Sequence, residues 1–486
     1  MKLLFSHSYY LRFDPKQFEG GHPYPPLGTL YAAAMMRSLG YDVALHDVMF
    51  SHGPGELAGA VSKHDPDVLI IYDDGFNYLT KMCLTNMREA AFDMIRFASR
   101  KGIKVIVSSS DSTDRYAEYL GEGADFIILG EAEASLGELT AALNIGANDF
   151  FAIKGIAFKK EGSVVKNPSR PVMKDLDSLA FPAWDLINIS VYRDTWMKSS
   201  GYFSINMATT RGCPFKCNWC AKPIYGNRYN SRSPANVVNE IRELQKTFAF
   251  DHIWFCDDIF GLKPGWVKEF SMLLKQENIK IRFKIQARAD LLLQEETIAA
   301  LADAGCENVW MGAESGSQKI LDAMDKGITV EQIHAATMLL KHHGIKPSFF
   351  IQFGYPGETR DDIRLTRKMI NTLLPHEIGI SVSYPLPGTR FYERVKSELD
   401  KKANWTDSNE LALMFTNTFR PDYYKQLHTY VHRSYRKHLA INNFGKILLN
   451  PFKLNYSMVK KALSGFYYFP AALIAKMKLN VIERRG

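Results

Sequence analysis

In the first 145 residues, short apolar runs alternate with stretches whose apolar positions recur every three or four residues. Runs at 2–5, 42–47, 68–72, 104–107 and 126–129 predict strands, and stretches at 28–39, 85–101, 112–121 and 132–143 predict helices. Five strands separated by helices describe a doubly wound parallel sheet over 1–145, with its ligand crevice at the carboxyl ends of the strands. Residues 146–195 carry Gly, Pro and charge without clear periodicity and read as a small β-rich linker. The β-then-α alternation resumes with strands near 203–209, 252–256, 281–286, 307–312, 347–353 and 377–383. Six such units predict a partial (β/α)6 barrel over 196–395, whose chemistry belongs on the loops leaving the carboxyl ends of its strands. Residues 396–486 read as a helical C-terminal region rich in Tyr, Phe, Lys and His. The expected fold class is α/β, a parallel sheet followed by a partial barrel and a helical tail.

Composition changes this picture little. A length of 486 residues suits two or three domains, and 46% hydrophobic with 23% charged residues is the balance of a folded chain. The net charge of +8 gathers in the tail and not on a central face, which argues against a nucleic-acid partner. The start, MKLLFSHSYY, has neither the extended apolar stretch nor the small-residue cleavage site of a secretory signal, so a cytoplasmic location is expected. Cysteines stand at 83, 213, 217, 220, 256 and 306, and the crowding of three within eight residues is a ligand pattern, not a disulfide framework.

Those three belong to Gly212-Cys213-Pro214-Phe215-Lys216-Cys217-Asn218-Trp219-Cys220, a C-x3-C-x2-C loop after the first barrel strand. Three thiolates at this spacing can hold three corners of a 4Fe-4S cubane and leave the fourth iron without a protein ligand. An open iron can chelate the amino and carboxylate groups of a methionine moiety. One electron passed into the adjacent sulfonium then breaks a carbon–sulfur bond. Buried structural cysteines, or zinc ligands lacking a fourth partner, would give the same spacing. Gly212 permits close approach of backbone to cluster, and Trp219 stands where an aromatic can pack on adenine.

This loop resembles the signature of the radical S-adenosylmethionine superfamily, and the resemblance implies that Cys213, Cys217 and Cys220 bind the cluster. Three later segments agree in order. Trp310-Met311-Gly312-Ala313-Glu314-Ser315-Gly316 is similar to the family's segment lining the ribose and methionine site, which assigns Gly312, Glu314 and Ser315 to S-adenosylmethionine; the competing reading is a βα turn with a capping serine. Phe353-Gly354-Tyr355-Pro356-Gly357-Glu358-Thr359 looks like the turn after the fifth strand, implying a site role for Gly354, and otherwise reads as a tight turn before a helix. Tyr384-Pro385-Leu386-Pro387-Gly388-Thr389 resembles the segment closing the last strand. Cys256 and Asp257 end the second barrel strand and are weak catalytic candidates against an ordinary core role. Gln286 and Arg288 end the third, where Arg288 would pair either the S-adenosylmethionine carboxylate or Asp290 or Glu314.

The N-terminal sheet lacks the glycine fingerprint of a dinucleotide site. It resembles instead the cobalamin-binding domain that precedes the barrel in one branch of the superfamily. The matching residues are Pro26, Leu27 and Gly28 before the first helix, Ser108, Ser109 and Ser110 after the fourth strand, and Gly130 after the fifth. The segment that supplies a histidine to cobalt in other cobalamin proteins is missing. A scaffold sheet without cofactor is the alternative.

The resemblance implies a cluster, S-adenosylmethionine and cobalamin as cofactors, a flavodoxin or ferredoxin as electron donor, and a C-methyltransferase acting on an unactivated carbon of a small molecule. The rivals are a radical cyclase or oxidase of the anaerobic magnesium-protoporphyrin ester cyclase type, and a corrinoid or iron-sulfur sensor. A methylthiotransferase is disfavoured because only Cys83 lies in the N-terminal region. Residues 462–475 form a 14-residue apolar run flanked by lysines. This is too short to span a bilayer, and it reads either as an interfacial segment that would favour a hydrophobic or lipid substrate, or as a helix docked on the barrel.

Overall fold

A computed structural model describes residues 1–73, 75–76, 84–399, 404–449 and 456–484; Cys83 lies outside them. The first sheet contains β1 (Lys2–Ser6), β2 (Asp42–His46), β3 (Val68–Tyr72), β4 (Lys104–Ser108), β5 (Phe126–Ile128), β6 (Ile156–Lys160) and β7 (Ser163–Lys166), in the order β2-β1-β3-β4-β5-β6-β7. The first five are parallel; β6 and β7, from the segment read as a linker, extend the sheet antiparallel to β5. Continuous apolar runs such as Val68-Leu69-Ile70-Ile71-Tyr72 suit this position because both faces are covered. Val68 and Ile70 pack in one apolar cluster, and Leu69 and Ile71 in another on the opposite face.

The second sheet is a curled half-barrel of six parallel strands. These are β8 (Ser204–Met207), β11 (His252–Phe255), β12 (Phe283–Ala287), β13 (Cys306–Glu314), β14 (Lys346–Phe353) and β15 (Ile378–Val382), ordered by sequence around the curl. Between β8 and β11 a two-stranded ribbon, β9 (Thr210–Arg211) with β10 (Asn230–Ser231), brackets the cysteine loop. Alternate residues such as Ile253, Phe255, Phe283 and Ile285 pack outward into the main core. Their neighbours Trp254, Lys284, Gln286 and Trp310 line the lumen.

The tail forms helices Pro421–Leu449, Tyr456–Leu463 and Gly465–Arg484. The last packs on the first through Ala471, Ala472, Ala475 and Leu479, with Gln426 donating to the Ala475 carbonyl (2.9 Å). Pro470 sits in its second turn without ending it. No described helix is long and apolar enough to cross a membrane.

Candidate active site

The cysteine loop is tied down at both ends. Asp257 accepts from the Thr209 and Thr210 amides (2.7 and 2.8 Å) and from the Thr209 hydroxyl (2.5 Å), which fixes the chain as it leaves β8. Burial pushes the Asp257 carboxyl up to about 6 against these bonds. Cys256 is buried, and its thiol meets the Met207 carbonyl (3.1 Å). Both catalytic candidates therefore buttress the loop, while their neighbour Asp258 lines the cavity. Gly212 is required: its φ is +79°, and a Cβ there would lie 2.4 Å from the Arg228 carbonyl oxygen. Asn218, between the second and third cysteines, knots the loop to the far side of the barrel. Its side chain donates to the Ala323 carbonyl (2.7 Å) and accepts from the Tyr355 hydroxyl (2.8 Å), and its amide donates to the Met324 carbonyl (3.0 Å).

Cys213, Cys217 and Cys220 line one cavity of about 190 Å³ together with Trp219, Arg288, Gly312 and Glu314. Burial raises the Cys213 thiol and pushes Cys220 up to about 12, with Asp258 adding to the latter. A thiolate there needs a positive partner, which bound iron supplies. Three thiols facing one cavity are the donor set of a cluster that leaves one iron open.

Facing the thiols is a strained acid. At Glu314 the register between β13 and β14 shifts, and φ is +54°, a conformation that ordinary residues adopt at a cost of about 1–3 kcal/mol. Its carboxylate pairs with Lys326 (2.7 Å), both groups being buried. Burial opposes the Lys326 charge, but Glu314 outweighs it and holds the ammonium above its ordinary range. Gly312 makes the room, since a Cβ there would lie 2.6 Å from the Lys326 Nζ and 2.8 Å from the Glu314 Oε1. Lys326 escaped the sequence reading because nothing in Met324-Asp325-Lys326-Gly327 marks it; only a buried acid short of a counter-charge points to it.

Arg288 pairs with Asp290 (3.0 Å) and not with Glu314. It donates to the Gly327 carbonyl (3.2 Å), lies 3.7 Å over the Phe215 ring, and reaches within 4.0 Å of the Cys217 sulfur. Trp219 flanks the cavity with its indole Nε1 buried and without a partner among the described residues. Two other expected residues are absent from the lining. Ser315 bonds the Thr366 hydroxyl (3.0 Å) and accepts from the Ser317 amide (3.1 Å), so it serves the turn. Gly354 holds its turn with φ +76°, donates to Glu358 (2.7 Å) and lies beneath Leu413 and Tyr424.

The carboxyl edge of the N-terminal sheet meets the base of this loop. Arg211 forks onto Glu131 (2.6 Å) and Glu133 (2.5 Å), all three buried. Gly130 turns at φ +79°, and a Cβ there would lie 3.4 Å from the Ile224 carbonyl oxygen. Pro26, Leu27 and Gly28 sit where the sheet abuts β8, with Asn206 donating to the Pro25 carbonyl (2.9 Å). Ser108, Ser109 and Ser110 are buried, and Ser109 forms a reciprocal cap with Ser112. His7, at the end of β1, is engaged by Asp47 (2.9 Å), which also accepts from Tyr192 (2.8 Å).

Residues 207–370 match the family model described as the radical SAM superfamily. The chain is 29% identical over 397 residues to an uncharacterized methyltransferase of Pyrococcus horikoshii, an alignment covering 78% of this chain and 81% of that one. It is 27% identical over 329 residues to an anaerobic magnesium-protoporphyrin IX monomethyl ester cyclase of Synechocystis, covering 66% of this chain and 63% of the cyclase. In fold it is similar to OxsB, a cobalamin-dependent S-adenosylmethionine radical enzyme solved with aqua-cobalamin and S-adenosylmethionine bound, at a TM-score of 0.73 and 16% identity over 98% of this chain and 72% of OxsB.

Proposed function

We propose that the chain is a radical S-adenosylmethionine enzyme, a cobalamin-dependent methyltransferase that methylates an unactivated carbon of a small molecule. The observation that carries the reading is the convergence of Cys213, Cys217, Cys220, Trp219, Glu314 and Lys326 on one cavity beside the edge of the N-terminal sheet. A cluster, S-adenosylmethionine and a corrinoid bound here would supply an adenosyl radical and a transferable methyl group, the electron coming from a flavodoxin or ferredoxin. The three cysteines would hold the cluster. Glu314, oriented by Lys326, would receive an ammonium or ribose hydroxyls, and Trp219 would flank the adenine. Ser108–Ser110 and Gly130 give the sheet edge small side chains beside a bulky ring.

Anaerobic reconstitution with methyl-labelled S-adenosylmethionine tests this. Iron, sulfide and corrinoid should copurify with the chain, and label should enter product alongside 5′-deoxyadenosine. Release of 5′-deoxyadenosine with no label in any product would favour the cyclase chemistry of the Synechocystis relative.

The tail supports contact with an anionic lipid surface. Between Tyr423 and Ile482 the sequence holds ten lysines and arginines and no acidic residue. Phe466, Tyr467, Phe469, Leu473, Ile474, Met477 and Val481 are exposed on the last helix, whose other face is docked. Apolar side chains beside uncompensated cations suit a bilayer interface carrying negative headgroups. The chain should sediment with vesicles containing phosphatidylglycerol and not with pure phosphatidylcholine. Binding that survives Phe466→Ser with Leu473→Ser would refute the assignment.

A further inference from the structure

Beyond the thiols the cluster cavity adjoins a second one, of about 330 Å³, across Gln286, Trp310 and Phe350. This volume is in the range of small-molecule sites. Its walls come from both halves of the molecule, with Tyr9, Tyr24 and Met49 from the N-terminal half and Trp254, Lys284 and Trp310 from the barrel. Trp310 stacks on Phe350 (4.7 Å between centroids), and Gly379 leaves the indole its space, since a Cβ there would stand 3.1 Å from it.

Lys284 lines this aromatic chamber and also the neighbouring cavity on the side of Glu377. Its ammonium lies 5.2 Å from the centre of the Trp254 ring and 5.4 Å from that of Tyr24. Among the described residues it has no hydrogen bond and no ion pair. Gln286, two residues along the same face of β12, has a side-chain amide that likewise bonds nothing among them. Both are half-buried in the cavity wall, and a lysine drawn out of water with no carboxylate closer than the longer-range influence of Glu377 is expensive. Burial accordingly lowers the Lys284 ammonium from its ordinary range. Further along the lumen the exposed Arg282 faces Glu307 (3.6 Å), and Asn308 donates to Ser348 (2.9 Å) while its own side-chain carbonyl oxygen has no partner among the described residues.

We infer that this chamber is the substrate pocket and that it takes a flat apolar or aromatic molecule bearing a carboxylate, which pairs with Lys284 while the rings pack on Trp254, Trp310 and Tyr24. Gln17 and His22 also line the chamber but bond Ser408 and Ser200, so the two groups left open, one ammonium and one amide, match a monoanionic carboxylate. The inference rests on the reading of the neighbouring cavity as the radical site, because it sets the substrate beside it.

Binding of 2-naphthoate and of its uncharged counterpart 2-naphthamide to the full reconstituted chain, followed by calorimetry, tests the pocket. The acid should bind the wild type about 10- to 100-fold more tightly than the amide, the worth of a charge-assisted hydrogen bond. Lys284→Met should erase that preference and leave amide binding in place, whereas Lys284→Arg should keep it. Trp310→Ala should weaken both probes alike. Equal binding of acid and amide to the wild type, a preference that persists in Lys284→Met, or no binding of either probe would each overturn the inference. Absence of 5′-deoxyadenosine from the wild type with strong reductant would sink the radical reading and leave the naphthoate preference to stand or fall by itself.

Discussion

At the carboxyl edge of the N-terminal sheet, His7 is held by Asp47, Ser8 by Asp73 and Ser109 by Ser112, whereas across the junction the barrel turns Cys213, Cys220, Lys284 and Gln286 into cavities. Both edges are built from parallel strands with helices between them, and both stand where such folds place ligands. The difference lies in where the open groups sit: on the sheet edge most side chains are paired, with His46 Nε2 and Glu133 Oε2 buried without a partner among the described residues, whereas in the barrel the open groups face cavities. An edge whose side chains bond one another presents a shaped wall and recognises a ligand by contour and backbone. An edge that turns thiols and an ammonium into open cavities gains most on occupancy, when a metal takes up the thiols as thiolates and an anion meets the ammonium.

The largest effect expected from breaking this contrast is at the thiols. Cys217→Ala should leave no intact cluster and no detectable 5′-deoxyadenosine, with the fold retained by circular dichroism; iron and sulfide analysis and the cluster's visible absorption measure it. Retention of full iron would remove the cubane assignment.

Next in size is the joint between the edges. Arg211 is buried between Glu131 and Glu133, so Arg211→Met strands two carboxylates and should cost about 3–5 kcal/mol in chemical denaturation. Adding Glu131→Gln and Glu133→Gln to that variant should recover much of the loss. An Arg211→Met chain as stable as the wild type would mean that the two sheets are joined elsewhere.

A smaller, more local effect is expected at the strained acid. Glu314→Gln keeps the shape but loses the charge that holds Lys326, and S-adenosylmethionine should bind about tenfold more weakly, on the order of 1.4 kcal/mol, at unchanged iron content. Lys326→Met should weaken binding similarly, and the double variant should add little, because the two residues act as one unit. Additive losses would separate them.

The sequence made the two parallel sheets legible because buried parallel strands are written as continuous apolar runs, and the cysteine loop because three ligands lie within eight residues. Legibility failed where function depends on distance in sequence. Lys326 is twelve residues beyond Glu314, and the lumen mixes Lys284, Gln286, Trp254 and Trp310 from three strands, so no window shows them together. Cys256 and Asp257 drew attention as strand-end residues, but the side chain reaching the cavity is the next one, Asp258. A shift of one residue reverses the face of a strand, and sequence alone does not fix that register. Residues 146–195 read as a small β-rich linker because β6 and β7 are short and carry exposed lysines, and β7 alone forms the edge of the sheet, where exposed charge is a common protection.

The smallest effect concerns an acid that is closed on one side only. Glu358 is fully buried below the cluster end of the barrel; one oxygen accepts from the Gly354 amide (2.7 Å) and the other has no partner among the described residues. Burial pushes its carboxyl up to about 8 from 4.5 in an unfolded chain. Between those values the folded state binds the proton more tightly, so this residue's contribution to stability falls as pH rises from 4.5 towards 8, and the full penalty applies above 8. Glu358→Gln cannot ionise and keeps an oxygen for the Gly354 amide. It should therefore gain stability over the wild type at pH 8.5, on the order of a few kcal/mol at most, and gain little at pH 5, as urea unfolding at the two pH values would measure. A difference between variant and wild type that is the same at both would mean that Glu358 is not titrating with folding. Its second oxygen would then be satisfied in the folded protein.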